Sequence, residues 1–96
     1  MLKIKLIKPE YFREAFTTAA SEAKKQSKIS FTHNDTHGSV SGYGFAGYYD
    51  VLADYIELTV TKRIFGTPDW KIEKEIGKYW QFICEKAKKQ MKNINN

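Results

Sequence analysis

Residues 41–49 read SGYGFAGYY, and the strongest strand pattern of the chain, at 55–63, follows almost at once. Gly42, Gly44 and Gly47 match the G-x-G-x-x-G fingerprint of dinucleotide-binding proteins. In those proteins a helix begins directly after the glycines. A helix with its connections does not fit between the last glycine and the strand. The segment therefore predicts successive antiparallel strands, and it predicts that no nucleotide binds at these glycines.

Hydrophobic periodicity predicts the other elements. Apolar residues alternate with polar ones in half-buried strands and recur every three or four positions in amphipathic helices. The predicted elements are a strand at 2–6, a helix at 9–26, a strand at 29–33, strands at 39–45, 46–52 and 55–63, and a helix from Thr67 to about Met91. Turns are predicted at 34–38, where Gly38 is free to adopt a positive φ, and at 52–54.

This order of elements predicts the fold class. It is typical of an α+β domain in which two helices pack on one face of an antiparallel sheet of four to five strands, in the order β-α-β-β-β-β-α. A chain of 96 residues is expected to form a single domain, 1–96. Residues 86–96 are predicted to form a basic, partly frayed C-terminal tail.

Composition indicates where such a domain resides. No apolar run approaches the roughly 20 residues that a membrane span requires, and charges interrupt the N-terminal segment MLKIKLIKP, which argues against a signal peptide. Cys84 is the only cysteine, so an internal disulfide cannot form. These features predict a cytoplasmic protein.

The charge of the chain favours an anionic partner. The formal net charge is +5, and Arg13 and Arg63 are the only arginines among the 16 basic residues. Lysine attracts anions as a point charge and lacks the planar fork that reads bases or grips phosphates; ordinary solubility explains the same charge equally well. Lysines follow one side of the last predicted helix, where they are expected to bind a surface. They are Lys71, Lys74, Lys78, Lys88, Lys89 and Lys92.

The glycine-rich segment also approaches an RNA-binding signature. That signature reads basic, Gly, aromatic, Gly or Ala, Phe, Val, any, aromatic, and Tyr43, Phe45 and Tyr48 occupy its aromatic positions. Aromatic side chains on a strand can stack nucleic-acid bases. A single-stranded RNA or DNA platform is therefore the alternative hypothesis, beside a hairpin whose aromatic side chains simply cover a helix.

No set of residues specifies a reaction. His33, Asp35 and His37 have alternate spacing, but they straddle a turn and lack a fourth metal ligand. Asp54 and the acidic residues near it lack a partner nucleophile. We expect Cys84 to be a small core residue. The expectation is a protein without catalytic residues, metal or cofactor.

The order of motifs resembles that of the polyhydroxyalkanoic acid system, or granule-region, family of small proteins. The similar segments are KIKLIKPEYF, the alanine-rich helix REAFTTAASEAKK, the strands of GFAGYYDVLADYIELTVTKR, and the I-E-x-E-I pattern in KIEKEIGKYW. The resemblance spans about residues 2–83. The lysine-rich end after Lys86 and the low arginine content depart from the family pattern. The resemblance implies an accessory protein associated with storage-polyester granules or their machinery.

These observations predict a non-enzymatic accessory or binding protein. Its expected partner is an anionic or amphipathic surface, such as a polyester granule or lipid, or another protein. The glycine-rich strands leave sheet edges through which two copies could pair as a homodimer.

Overall fold

A computed structural model describes residues 2–26, 29–42, 44–64 and 66–94. Seven elements follow one another along the chain. They are β1 (Leu2–Ile7), α1 (Phe12–Lys25), β2 (Ser30–His33), β3 (His37–Gly42), β4 (Phe45–Val51), β5 (Tyr55–Lys62) and α2 (Asp69–Ile94). This order confirms the predicted α+β class and the succession β-α-β-β-β-β-α.

The five strands form one antiparallel sheet in the order β1-β5-β4-β3-β2. Strands β2 to β5 are successive hairpins, whereas β1 returns to pair with the last strand, so that Ile4 lies opposite Leu58. Period-two alternation turns one apolar set toward the helices. Ile4, Ile56, Leu58 and Tyr49 from this set belong to the same buried cluster as the apolar face of both helices.

The connection between β3 and β4 lies at a different position from the predicted one. The sequence placed the junction of two strands between 45 and 46, but β3 ends at Gly42 and β4 begins at Phe45. Gly44 has a φ of 79°, a left-handed conformation that glycine adopts without a steric penalty. The reversal therefore falls two residues earlier than the aromatic pattern indicated.

The turn before β3 has a different basis from the predicted one. The Asn34 side chain accepts hydrogen bonds from the backbone N–H groups of Thr36 at 2.8 Å and His37 at 2.9 Å, as is common for asparagine in turns. Gly38 is not among the glycines with positive φ and lies inside β3. It is required for space, because a Cβ at this position would lie 2.2 Å from the Tyr49 hydroxyl oxygen.

The helices are close to their predicted positions. Helix α1 spans 12–25 where 9–26 was predicted, and its small buried residues Ala15 and Ala19 share the core cluster with Ala87 of α2. Helix α2 begins directly after Pro68 and continues to Ile94, beyond the predicted end. The segment predicted as a tail thus begins inside this helix. Within the described chain, neither helix has the length and apolar character needed to cross a bilayer.

Candidate functional site

A cavity of about 490 Å³ lies between the helices and the sheet. It is partly open to solvent, so it is a pocket rather than an enclosed void. Its volume lies within the range of about 300–1,000 Å³ that is typical of ligand pockets. This pocket is therefore the strongest candidate for a binding site in the described chain.

The placement of the helices creates the cavity. In the described chain, the α2 backbone comes close to the sheet only along β1, and the α1 backbone comes close only to β2. These are the two edge strands. The helices also contact each other. Their backbones lie farther from the central strands β5, β4 and β3, and side chains such as Phe16 reach down to Tyr49 across this gap. The cavity lies among these side chains.

Small residues widen this space. Ala19 and Ala23 form the α1 wall of the cavity, and Gly42 lies in its floor. The same alanines let α1 approach α2 closely, because they present no bulky side chain. In the sequence, these residues indicated close packing of a helix on a sheet. They gave no indication of the pocket that lies between the helices and the sheet.

Aromatic side chains form the deep wall of the cavity. The Phe16 ring centroid lies 5.0 Å from that of Tyr49 and 5.7 Å from that of Trp80. The Phe31 ring stacks on Tyr49 with a centroid distance of 5.7 Å and an interplanar angle of 19°. Such contacts hold the rings in place and give the cavity a fixed shape.

The polar atoms of these aromatic residues are already satisfied. The Tyr49 hydroxyl donates to the carbonyl of Thr32 at 2.9 Å, and the Trp80 indole N–H donates to the carbonyl of Ile7 at 3.0 Å. Burial raises the pKa of the Tyr49 hydroxyl far above its usual value. The deep part of the cavity therefore offers an apolar surface, and a polar group placed there would lose its hydrogen bonds to water.

The polar lining residues occur together at one end of the cavity. They come from the end of β3, from the connection between β5 and α2, and from the first two turns of α2, which follow one another at the same end of the sheet. They are Ser41, Arg63, Thr67, Lys71 and Glu75. The lining of the cavity is thus apolar almost throughout, and its few polar groups lie at one end.

Three of the polar residues are charged. Arg63 forms an ion pair with Asp69, the first residue of α2. Lys71 and Glu75 form no ion pair with any residue in the described chain. Two cations and one anion therefore line the polar end.

The predicted surface lysines share one helix but not one environment. All six are exposed, and only Lys71 lines the cavity. In the first turns of α2, the lysines alternate with the acidic residues Asp69, Glu73 and Glu75. Beyond Tyr79, Glu85 is the single acidic residue. The basic character therefore concentrates at the C-terminal half, around Lys88, Lys89 and Lys92.

The structure does not bring together the described members of the predicted aromatic platform. Tyr43 lies outside the described residues. Phe45 lines the cavity on the side of the helices, whereas Tyr48, three positions along the same strand, has the opposite orientation and is 44% exposed. The two rings consequently lie on opposite faces of the sheet.

Other candidate residues stand apart from the cavity. His33 contacts the Phe16 and Phe31 rings, whereas His37 bonds to Thr36 in the turn. Within the described residues, no three His, Cys, Asp or Glu side chains are grouped to hold a metal ion. Cys84 is a core residue, as predicted, and burial raises the pKa of its thiol to about 11.

Comparison with protein-family models, curated proteins and solved structures yielded no match to this chain. The resemblance to the polyhydroxyalkanoic acid system family thus stays a prediction.

Proposed function

We propose that this chain is a non-enzymatic binding protein that accommodates the apolar part of a small amphipathic molecule in the cavity. The observation that carries the proposal is the division of a 490 Å³ space into an apolar interior and one polar end. Ligand pockets typically measure about 300–1,000 Å³ and combine apolar walls with a few placed polar groups. The sequence predicted an anionic or amphipathic surface, or a protein, as the partner. The proposal instead assigns a small amphipathic molecule to the pocket.

The polar end supports binding rather than catalysis. In the described chain, Ser41 and Thr67 make no side-chain hydrogen bond to a base, and the Cys84 thiol, whose pKa is raised, does not line the cavity. Nucleophilic catalysis generally uses a nucleophile within hydrogen-bond reach of a base. The polar groups are instead arranged to hold a head group.

Tryptophan fluorescence provides a direct test. Trp80 lines the cavity and is 7% exposed, whereas Trp70 is 66% exposed, so a Trp70→Phe variant leaves one reporter at the site. We expect titration with dodecanol to change Trp80 emission saturably at a stoichiometry of about one. Isothermal titration calorimetry measures the same stoichiometry independently.

A pair of alanine substitutions on α1 supplies the control. Ala23 lines the cavity, whereas Ala20 does not. We expect Ala23→Leu to weaken dodecanol binding by filling the site and Ala20→Leu to leave binding unchanged. Equal affinity for both variants would refute the proposal. A change of oligomeric state in sedimentation, without ligand binding, would show that a second copy covers this space instead.

A second function is favoured by the C-terminal half of α2. Lys88, Lys89 and Lys92 are exposed and form no ion pair in the described chain. We propose that they attract an anionic lipid or granule surface, because a lysine near such a surface contributes about 1 kcal/mol. Co-sedimentation with anionic vesicles should fall when all three are changed to Glu.

A control with the same change in net charge isolates the position of these lysines. Lys5, Lys24 and Lys62 are also exposed and lie on other elements. Their joint substitution with Glu should reduce sedimentation much less. An equal loss for both triple variants would show that only net charge matters. It would refute a specific role of the α2 lysines in binding the surface.

A further inference from the structure

We propose that the ligand is a single-chain amphiphile with a singly charged anionic head group, held between Lys71 and Arg63 at the polar end of the cavity. This inference rests on the proposed function and specifies the ligand of that same site. It follows from the N–H and O–H donors that line the polar end and have no partner within the described chain.

The donors at the polar end favour an anion. Arg63 and Lys71 contribute two positive charges, and Glu75 and Asp69, which pairs with Arg63, contribute two negative charges. These charges cancel, so the preference comes from the N–H donors that Arg63 and Lys71 have available, which a carboxylate can accept. A quaternary ammonium head group has no acceptor for them.

The ion pair of Arg63 leaves part of its guanidinium group available. Its Nη1 bonds to Asp69, and no other hydrogen bond from this side chain is formed within the described chain. A guanidinium group carries five N–H donors in a planar fork that matches a carboxylate. Arg63 can therefore keep Asp69 and still donate to an oxyanion, while Asp69 reduces its net charge and so disfavours a doubly charged head group.

Lys71 supplies the free positive charge. It forms no ion pair in the described chain even though Glu75 lies one helical turn further along the same helix. Lys71 is exposed, and its ammonium group carries three donors. A head group at the polar end would reach it while the apolar chain remains inside the cavity.

Hydroxyl groups complete the polar end. The Ser41 and Thr67 side chains line the cavity and make no side-chain hydrogen bond within the described residues. Hydroxyl groups donate readily to a charged oxygen. Two cations, two hydroxyls and the Glu75 carboxylate thus line this end of the cavity, and the rest of the lining is almost entirely apolar.

Three amphiphiles with the same chain distinguish the head groups. Dodecanoate, dodecanol and dodecyltrimethylammonium are titrated, each below its critical micelle concentration, into the Trp70→Phe protein at neutral pH and low salt. We expect dodecanoate to bind about tenfold more tightly than dodecanol, a difference of about 1.4 kcal/mol, and dodecyltrimethylammonium to bind most weakly. The preference for dodecanoate should decrease as salt is added.

Charge-removing variants locate the preference. Lys71→Gln and Arg63→Gln should each lower the affinity for dodecanoate several-fold and leave the affinity for dodecanol unchanged. Lys74→Gln is the matched control, because Lys74 is an exposed lysine of the same helix that does not line the cavity. Unchanged circular dichroism verifies that each variant is folded.

The outcomes separate the two proposals. If dodecanol binds but dodecanoate is not preferred, or if Lys74→Gln has the same effect as Lys71→Gln, the anionic head group is refuted and the proposed function stands. If no amphiphile binds, both proposals fail. Binding to anionic vesicles without binding to monomeric dodecanoate would also overturn the inference, in favour of a membrane surface.

Discussion

The pairing of Gly38 with Tyr49 across β3 and β4 leads to the sharpest prediction. The Tyr49 ring crosses the space above Gly38, and its hydroxyl reaches the carbonyl of Thr32 on the next strand at 2.9 Å. A Cβ at Gly38 would lie 2.2 Å from both of these oxygens and 2.4 Å from Cζ of Tyr49. The substitution Gly38→Ala must therefore displace the ring or β2.

The size of the effect follows from these contacts. A separation of 2.2 Å is roughly 1.3 Å inside an optimal contact of about 3.5 Å. Overpacking of this kind costs about 1–3 kcal/mol, and the loss of the tyrosine hydrogen bond adds about 1 kcal/mol. Replacing glycine by alanine in a strand returns about 0.5–1 kcal/mol of backbone entropy. We expect Gly38→Ala to lower the free energy of unfolding by about 2 kcal/mol.

Urea unfolding followed by circular dichroism measures this change. The chain contains a matched control, because Gly77 lies inside α2 and a Cβ there would meet nothing within 4 Å. Gly77→Ala should raise the free energy of unfolding by about 1 kcal/mol. Tyr49→Phe should cost less in the Gly38→Ala background than alone, because the hydrogen bond is already lost. If Gly38→Ala is as stable as the unchanged protein, the account of this pair is wrong.

Further predictions concern the core and its titrating groups. Ile83→Ala should cost about 2–5 kcal/mol in urea unfolding, because the side chain is 0% exposed; a cost below 1 kcal/mol would place Ile83 outside the core. Burial raises the Cys84 pKa from 9.0 to about 11, so the neutral thiol is favoured in the folded state and stability should decrease as pH rises across this interval. Cys84→Ala should make the free energy of unfolding depend less steeply on pH in this interval. An unchanged pH dependence in this variant would contradict the assignment to Cys84. The hydrogen bond from Lys86 lowers the Glu22 pKa below its ordinary 4.5, so stability should decrease as pH falls below this value, and Glu22→Gln should weaken that dependence in acid titrations followed by circular dichroism.

The sequence by itself determined the succession of elements. Polar and apolar residues alternate at 55–63, and only a short interval separates Gly47 from this strand, so antiparallel strands are required. Both features can be read from neighbouring residues, because they depend only on the geometry of the extended chain. The long helix after Pro68 follows from its apolar periodicity in the same way. Local chemistry also identified Cys84 as a core residue and the region 34–38 as a turn.

The tertiary structure alone decided the position of the cavity. Ala19, Ala23 and Gly42 are separated along the chain and meet only because the helices rest on the two edge strands. The same arrangement separates Phe45 from Tyr48 and brings Arg63 and Lys71 to one end of an apolar space. The distance between a helix and a sheet depends on contacts between remote residues, and no local pattern in the sequence records it.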